Sequence, residues 1–212
     1  MGKSTVAGMF EQLGVPTHDA DKAVHDLMVP GAKGYNAIVA AFPYFEHPEI
    51  YKKQQGPLGK MNYIDRVAFG KMIFADDASR ETLEGILHPL VREAQNDFIK
   101  DMRRMGKNIV LLDIPLLFET DSHQFVDVTI NVEAPEHIQR ARVMARPNMS
   151  EEKFEQILSK QMPSKEKSAY ADYVIGTGLS RAITFSQVRQ VLDEIKHDSA
   201  PKYAPEPIGR IY

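Results

Sequence analysis

Apolar residues recur at helical spacing along most of this chain and gather into short unbroken runs at only a few places. Val6, Ala7, Met9, Phe10 and Leu13 share one face of a helix predicted from Lys3 to Leu13 and ended by Gly14. Val15-Pro16-Thr17-His18 is too short and too proline-marked for more than a brief strand, and Asp19-Ala20-Asp21 lies at its C-terminal end. Two further helices follow, Lys22 to Met28, closed by Pro30-Gly31, and Gly34 to Phe42. The stretch from Pro43 to Met61, rich in proline, glycine and lysine, reads as a loop and as the insert or mobile region of the chain. Asp65 is placed to cap a short helix carrying Val67, Phe69, Ile73 and Phe74. Ser79 is expected to cap the longest periodic stretch, from Leu83 to Met102. Pro89 lies inside it and crowds the carbonyl of Gly85, so a kinked but continuous helix is predicted up to Gly106.

Beyond Gly106 the period changes. Ile109-Val110-Leu111-Leu112 is an apolar run of the kind that a strand covered on both faces shows, with Asp113 at its C-terminal end. Ile114 to Glu119 reads as the packed floor of a loop. Val126 to Val132 is the next strand, Pro135 opens a helix, Ser150 caps another, Tyr173 to Ile175 is a last short strand, and Ser180 to Lys196 is the closing helix. From His197 onward, prolines and low apolar content indicate a loosely held tail.

Composition narrows the class. A 212-residue chain can bury about 70% of its unfolded surface, enough for one large domain or a domain with an insert. Its 43% apolar and 26% charged residues are ordinary for a soluble globular protein, and no apolar run approaches the ~20 residues of a membrane span. Without cysteine there is neither a disulfide framework nor a thiolate nucleophile, and no signal segment opens the chain, so a cytoplasmic location is expected. A net charge of −3 gives no general attraction to nucleic acid.

Candidate chemistry begins at Gly2-Lys3-Ser4-Thr5, the ending of a phosphate-binding loop, G-x-x-x-x-G-K-[ST]. There the backbone N–H groups and the positive end of the following helix hold a polyphosphate, the lysine reaches its outer phosphates, and the hydroxyl binds Mg²⁺. The first half of the motif and its feeding strand are absent. Met1 is therefore expected not to be the functional start, with about ten residues preceding it in a complete form. One of Asp19 and Asp21 is expected to face the phosphates, unless they cap the next helix. His88 is either a residue at a kink or a substrate contact. Arg142 and Arg146 share a helix face and suit an anionic ligand or a solvated surface, whereas Arg140 has Glu136 as its expected partner.

Read together, Gly2-Lys3-Ser4-Thr5, Leu13-Gly14-Val15-Pro16 leading into Asp19-Ala20-Asp21, Pro30-Gly31, Ile64-Asp65-Arg66, Leu87-His88-Pro89-Leu90-Val91, Ile114 to Glu119, Arg142 to Arg146, Gln161 and Ala171-Asp172 resemble, in order and spacing, the dephospho-coenzyme A kinase family of P-loop small-molecule kinases. The resemblance runs to about residue 195. It implies an α/β fold, a parallel P-loop kinase sheet covered by helices on both faces, with a helical substrate domain and a lid. Residues 1–22 and 105–196 would form the nucleotide-binding core, with the lid at about 140–165, residues 23–104 the substrate domain, and residues 197–212 the tail.

The implied activity is ATP-dependent phosphorylation of the ribose 3′-hydroxyl of dephospho-coenzyme A, with Mg²⁺. By position, the resemblance makes Asp21 the base, Lys3 and Ser4 the phosphate and Mg²⁺ groups, and Arg142 and Arg146 the lid arginines that meet ATP. Gly2, Thr5 and Gly178 would also contact the nucleotide, Arg66, His88, Pro115 and Leu116 the acceptor substrate, and Asp113 the metal. Partners would be ATP and dephospho-coenzyme A, with neither nucleic acid nor membrane, on a monomer or weak homo-oligomer. Gly176-Thr177-Gly178 departs from the family's asparagine-containing loop on the adenine side. The alternatives are another small-molecule or nucleotide kinase and a non-catalytic relative; a P-loop GTPase is disfavoured by the lack of Asn-Lys-x-Asp. Phosphoryl transfer needs positioning and charge neutralisation, for which a lysine, a metal, lid arginines and one carboxylate suffice.

Overall fold

The computed structural model of this chain describes residues 2–56, 59–145, 149–159 and 161–197. In chain order its elements are α1 (Lys3–Gln12), β1 (Thr17–Asp19), α2 (Ala20–Leu27), α3 (Lys33–Ala41), β2 (Tyr51–Gly56), β3 (Gly59–Ile64), α4 (Arg66–Ala75), α5 (Asp77–Arg104), β4 (Leu111–Asp113), β5 (Ile130–Glu133), α6 (Glu136–Met144), α7 (Glu151–Ser159), α8 (Ser164–Tyr170), β6 (Tyr173–Gly176) and α9 (Arg181–His197). The fold is α/β, as expected. Its ladders are β1 with β4, the antiparallel hairpin β2–β3, and the parallel pair β5–β6. The chain divides into two compact units, Met1–Thr17 with Asp113–Tyr212, and His18–Leu112.

In the first unit α1 packs against α9, and α9 against β6. Val6, Met9 and Phe10 of α1, Ile175 of β6, and Val188 and Leu192 of α9 are all buried. The β5–β6 ladder starts at a reciprocal clamp: the Asp172 carboxylate accepts from Thr129 N and Oγ1, both at 2.9 Å, and Asp172 N donates back to Thr129 Oγ1 at 3.0 Å. Sliding either strand would break all three bonds, so the Ile130↔Tyr173 register is specified by side chains as well as by the ladder.

In the second unit α2, α3 and α4 all pack against α5. The core there is Ile38, Phe42, Ile50, Tyr51, Ile64, Phe69 and Leu87. Helix α5 runs unbroken through Pro89 for 28 residues. It ends where Gly106, at φ 72°, and Lys107 return their N–H groups to the carbonyls of Arg103 and Met102. The same left-handed ending closes α1 at Gly14 and Val15.

Four expectations are corrected. The stretch from 43 to 61 is not all loop: from residue 51 it enters the β2–β3 hairpin. Its central residues Lys52-Lys53-Gln54-Gln55 carry no apolar alternation, and the hairpin is held instead at its open end, by Tyr51 paired with Ile64, Tyr51 OH donating to Phe42 O at 2.5 Å, and Lys52 paired with Asp65 at 2.7 Å. Helix α5 is capped by Asp76, whose carboxylate accepts from Ser79 N, rather than by Ser79. The strands predicted to begin at Ile109 and Val126 begin at Leu111 and Ile130, because their partners β1 and β6 are only three and four residues long. Asp21 is not in extended backbone; the helix begins at Ala20. The tail from residue 198 lies outside the described residues.

Phe69 is 2% exposed and meets Phe42 edge-on with ring centroids 5.3 Å apart. Truncating it leaves a cavity lined by aromatic and aliphatic side chains. Phe69→Ala should therefore cost ~3–5 kcal/mol, read as a lower urea midpoint with an unchanged slope.

Candidate active site

Helix α1 opens on Gly2, whose φ of 103° is open to glycine at little cost. Its first turn carries no acidic residue, so nothing in it offsets the positive end of the helix, and the N–H groups of that turn have no partner within the helix. Lys3 adds a full positive charge there. Its Nζ lies 2.5 Å from Asp113 Oδ1, with the lysine side chain 40% exposed and the aspartate 6%. The contact is an ion pair without hydrogen-bond alignment: Asp113 Oδ1 has no hydrogen-bond partner among the described residues. A buried carboxylate with one cation beside it is charge-balanced yet still has an oxygen to offer. Asp113 is held there because β4 ends at it.

Ile114 and Pro115 lead from Asp113 to Leu116, which is 41% exposed and sits at φ 57°. A non-glycine residue in the left-handed region must be held by its surroundings. Here Leu116 O accepts from Thr120 N at 3.0 Å and from Thr120 Oγ1 at 2.9 Å.

The Gly176-Thr177-Gly178 loop lies close to Gly2. Thr177 N and Oγ1 both donate to Glu133 O, at 2.8 and 3.0 Å, while the Arg142 guanidinium donates to Thr177 Oγ1 at 3.1 Å and to Thr177 O at 2.8 Å. A Cβ on Gly2 would stand 2.9 Å from Thr177 Cγ2, and one on Gly178 would stand 2.5 Å from Pro135 Cδ. Arg142 is therefore forked onto this loop. Arg146 lies outside the described residues. Arg140 pairs with Glu151 and Glu155 of α7, and its guanidinium lies 5.5 Å from the Phe154 ring centroid, so its partner is not Glu136. Ser4 and Thr5 are exposed in the first turn of α1.

Asp21, Arg66 and His88 belong to the second unit. Of the two acids after β1, Asp19 takes the helix cap, accepting from Lys22 N at 3.0 Å. That leaves the exposed Asp21 carboxylate free of hydrogen bonds and ion pairs among the described residues. Arg66 NH1 donates to His25 Nδ1 at 2.5 Å. A guanidinium can only donate, so that ring nitrogen carries no proton. His88 is exposed on α5. His18, beside Asp19, has its pKa lowered by burial, against which the Asp19 charge acts; its ring lies 5.3 Å from that of Phe98.

Glu133 and Lys167 at the first unit's site were not singled out from sequence, nor were the bonds made by Thr177. No local spacing relates them, and their partners lie 35 to 48 positions away. Among the described residues no group of three or more His, Asp or Glu could hold a metal by itself, and no helix is long and apolar enough to cross a membrane.

Residues 1–180 match the model of the dephospho-CoA kinase family. A dephospho-CoA kinase of Novosphingobium aromaticivorans is 43% identical over 196 residues, 92% of this chain and 90% of the relative. One from Mesorhizobium japonicum is 39% identical, covering 92% of both chains. Among solved structures, the dephospho-CoA kinase of Campylobacter jejuni superposes with a TM-score of 0.67 at 25% identity, covering 94% of both chains.

The closeness of Gly178 to Pro135 has a measurable consequence. Gly178→Ala places a methyl against a proline ring that cannot rotate away. The loss should be ~1–3 kcal/mol, as for overpacked cores, seen as a lower thermal midpoint, while the same change at Gly8, whose Cβ would meet nothing within 4 Å, should be close to neutral or stabilising.

Proposed function

This chain belongs to the dephospho-CoA kinase family, and from that premise we propose that the groups at the start of α1 and the end of β4 carry out the family's reaction. The chain transfers the γ-phosphoryl group of ATP to the ribose 3′-hydroxyl of dephospho-coenzyme A, giving coenzyme A and ADP. The observation that carries the reading is the half-exposed Lys3 paired with the buried Asp113 at the positive end of α1. An arriving triphosphate competes for Lys3 and meets the unpaired N–H groups of the first turn, with Gly2, Ser4 and Thr5 around it.

Mg²⁺ fits these residues. Asp113 presents a buried oxygen without a hydrogen bond, Ser4 an exposed hydroxyl, and a Mg²⁺ ion that keeps waters and binds phosphates needs only one or two protein groups. When bound, the ion neutralises charge developing on the phosphate oxygens. Asp21, without a partner among the described residues, accepts the proton of the 3′-hydroxyl as its oxygen attacks phosphorus and ADP leaves. Arg66 and His88, with Pro115 and Leu116, hold the acceptor. Arg142, already oriented by Thr177, and Arg146 meet the charge of ATP, and Gly178 shapes the nucleotide side. In this reading residues 1–22 and 105–196 form the nucleotide core with the lid at about 140–165, residues 23–104 form the substrate domain, and the protein acts in the cytoplasm on small molecules, as a monomer or weak homo-oligomer.

Coupled detection of ADP with a panel of acceptors tests the assignment: dephospho-coenzyme A should be turned over, and adenosine, AMP and shikimate should not. Turnover of one of the latter instead would sink it. Asp21→Asn should retain ATP binding and lower kcat by ~10²–10⁴; an unchanged kcat would remove Asp21 as the base. Arg142→Ala should lower the rate and raise the ATP requirement, and normal kinetics would leave Arg142 a purely structural tie to Thr177.

A further inference from the structure

Glu119 closes the apolar turn that follows Asp113, and one oxygen of its carboxylate is engaged inside the protein. Its Oε1 pairs with Lys167 Nζ at 2.6 Å and accepts from Met162 N at 3.1 Å, its Oε2 is buried without a hydrogen-bond partner among the described residues, and the two side chains are 16% and 19% exposed. Burial acts to raise the Glu119 pKa, but the Lys167 ammonium and the backbone N–H donors outweigh it and hold the group below the usual glutamate range. Glu119 is therefore a carboxylate at neutral pH. Met162 is the position where the chain passes from α7 to α8, and its successor Pro163 has no N–H to offer.

The anchorage on α8 is double. Next to Lys167, Ser168 donates to Glu133 Oε2 at 2.7 Å and accepts from Asn131 Nδ2 at 2.8 Å, which fastens α8 to β5. Glu133 in turn accepts from Thr177 through its backbone oxygen. At the near end, residues 116–120 form a turn closed on Leu116 O, with Leu116 in the left-handed region. Glu119 is thus the charged tie between that turn, which carries Pro115 and Leu116, and a helix already fixed to the sheet.

We propose that Glu119 is a positioning residue for phosphoryl transfer, which, held by Lys167 and Met162 N–H, sets the Pro115–Leu116 turn relative to Asp113 so that the acceptor is presented correctly. The proposal rests on the dephospho-CoA kinase reading and adds a residue that acts through others, without touching substrate. A buried pair that served only as a staple would change thermal stability alone. A pair that places the acceptor turn changes the acceptor parameters selectively, because the ATP contacts at α1 and at Thr177 do not run through Glu119.

The test uses the full chain with Glu119→Gln, which keeps size and an acceptor for Met162 N–H, together with Lys167→Met, Lys167→Arg and the Gln/Met double variant. Kinetics are measured well below every thermal midpoint, and binding of ATP and of dephospho-coenzyme A is measured separately by calorimetry. Glu119→Gln should lower kcat/KM for dephospho-coenzyme A by ~10–100-fold while leaving KM and binding of ATP as in wild type. Lys167→Met should do the same, Lys167→Arg should stay close to wild type, and the double variant should be no worse than the poorer single one. Lower thermal midpoints with unchanged kinetics, or equal losses toward both substrates, would overturn the proposal. Failure of the family assignment looks different: wild type would then favour another acceptor in turnover and in calorimetry, and the acceptor-selective loss would be read against that compound.

Discussion

The first unit of this protein depends on how completely Thr177 is satisfied. It is buried, and its N–H, hydroxyl and carbonyl are all engaged, by Glu133 O on one side and the Arg142 fork on the other. Each of those bonds joins a different part of the chain: the end of β5, the last turn of α6, and the loop leaving β6. Because an unmet buried polar group costs ~1–3 kcal/mol, these segments are held to one arrangement. Gly2 then approaches the Thr177 side chain more closely than any Cβ would permit, so the start of α1 inherits its position from this loop.

That rigidity contrasts with the groups left unfinished. Among the described residues, Lys3 is paired with Asp113 yet half exposed, Asp113 Oδ1 lacks a hydrogen bond, and Asp21 stands free beside a cap that Asp19 has already filled. A phosphoryl-transfer site needs both kinds of group. The satisfied ones remove the reorganisation that a mobile loop would require on binding, and the unfinished ones keep charge and lone pairs available for phosphate, metal and proton. The Lys3–Asp113 contact also sets a lysine beside a buried carboxylate so that neither is left uncompensated.

The interactions that read correctly from sequence were those completed within a few residues. Asp65 accepts from Val67 and Ala68, Ser150 from Lys153, and the α1 and α5 helices end on Gly14 and Gly106, because a cap or a left-handed turn is decided by its own backbone. Even here the local signal can be duplicated: Asp76 and Ser79 are both good caps three positions apart, and the structure uses the first. The family resemblance was legible for the same reason, being carried by short motifs in a fixed order.

Chain pattern by itself thus determined the α/β class, the glycine endings of α1 and α5, the Gly2-Lys3-Ser4 segment at the head of α1 and the acid at the end of β4. Only tertiary structure decided the polar β2–β3 hairpin, which is held at its open end, the shortened β4 and β5, whose partners run out, and the partners of Arg140, Arg142 and Glu119. The physical reason is one of range. Periodicity and capping report free energy spent within a turn of helix or a few strand residues, whereas a ladder length, a buried ion pair or a guanidinium fork is set by a group brought in from dozens of positions away.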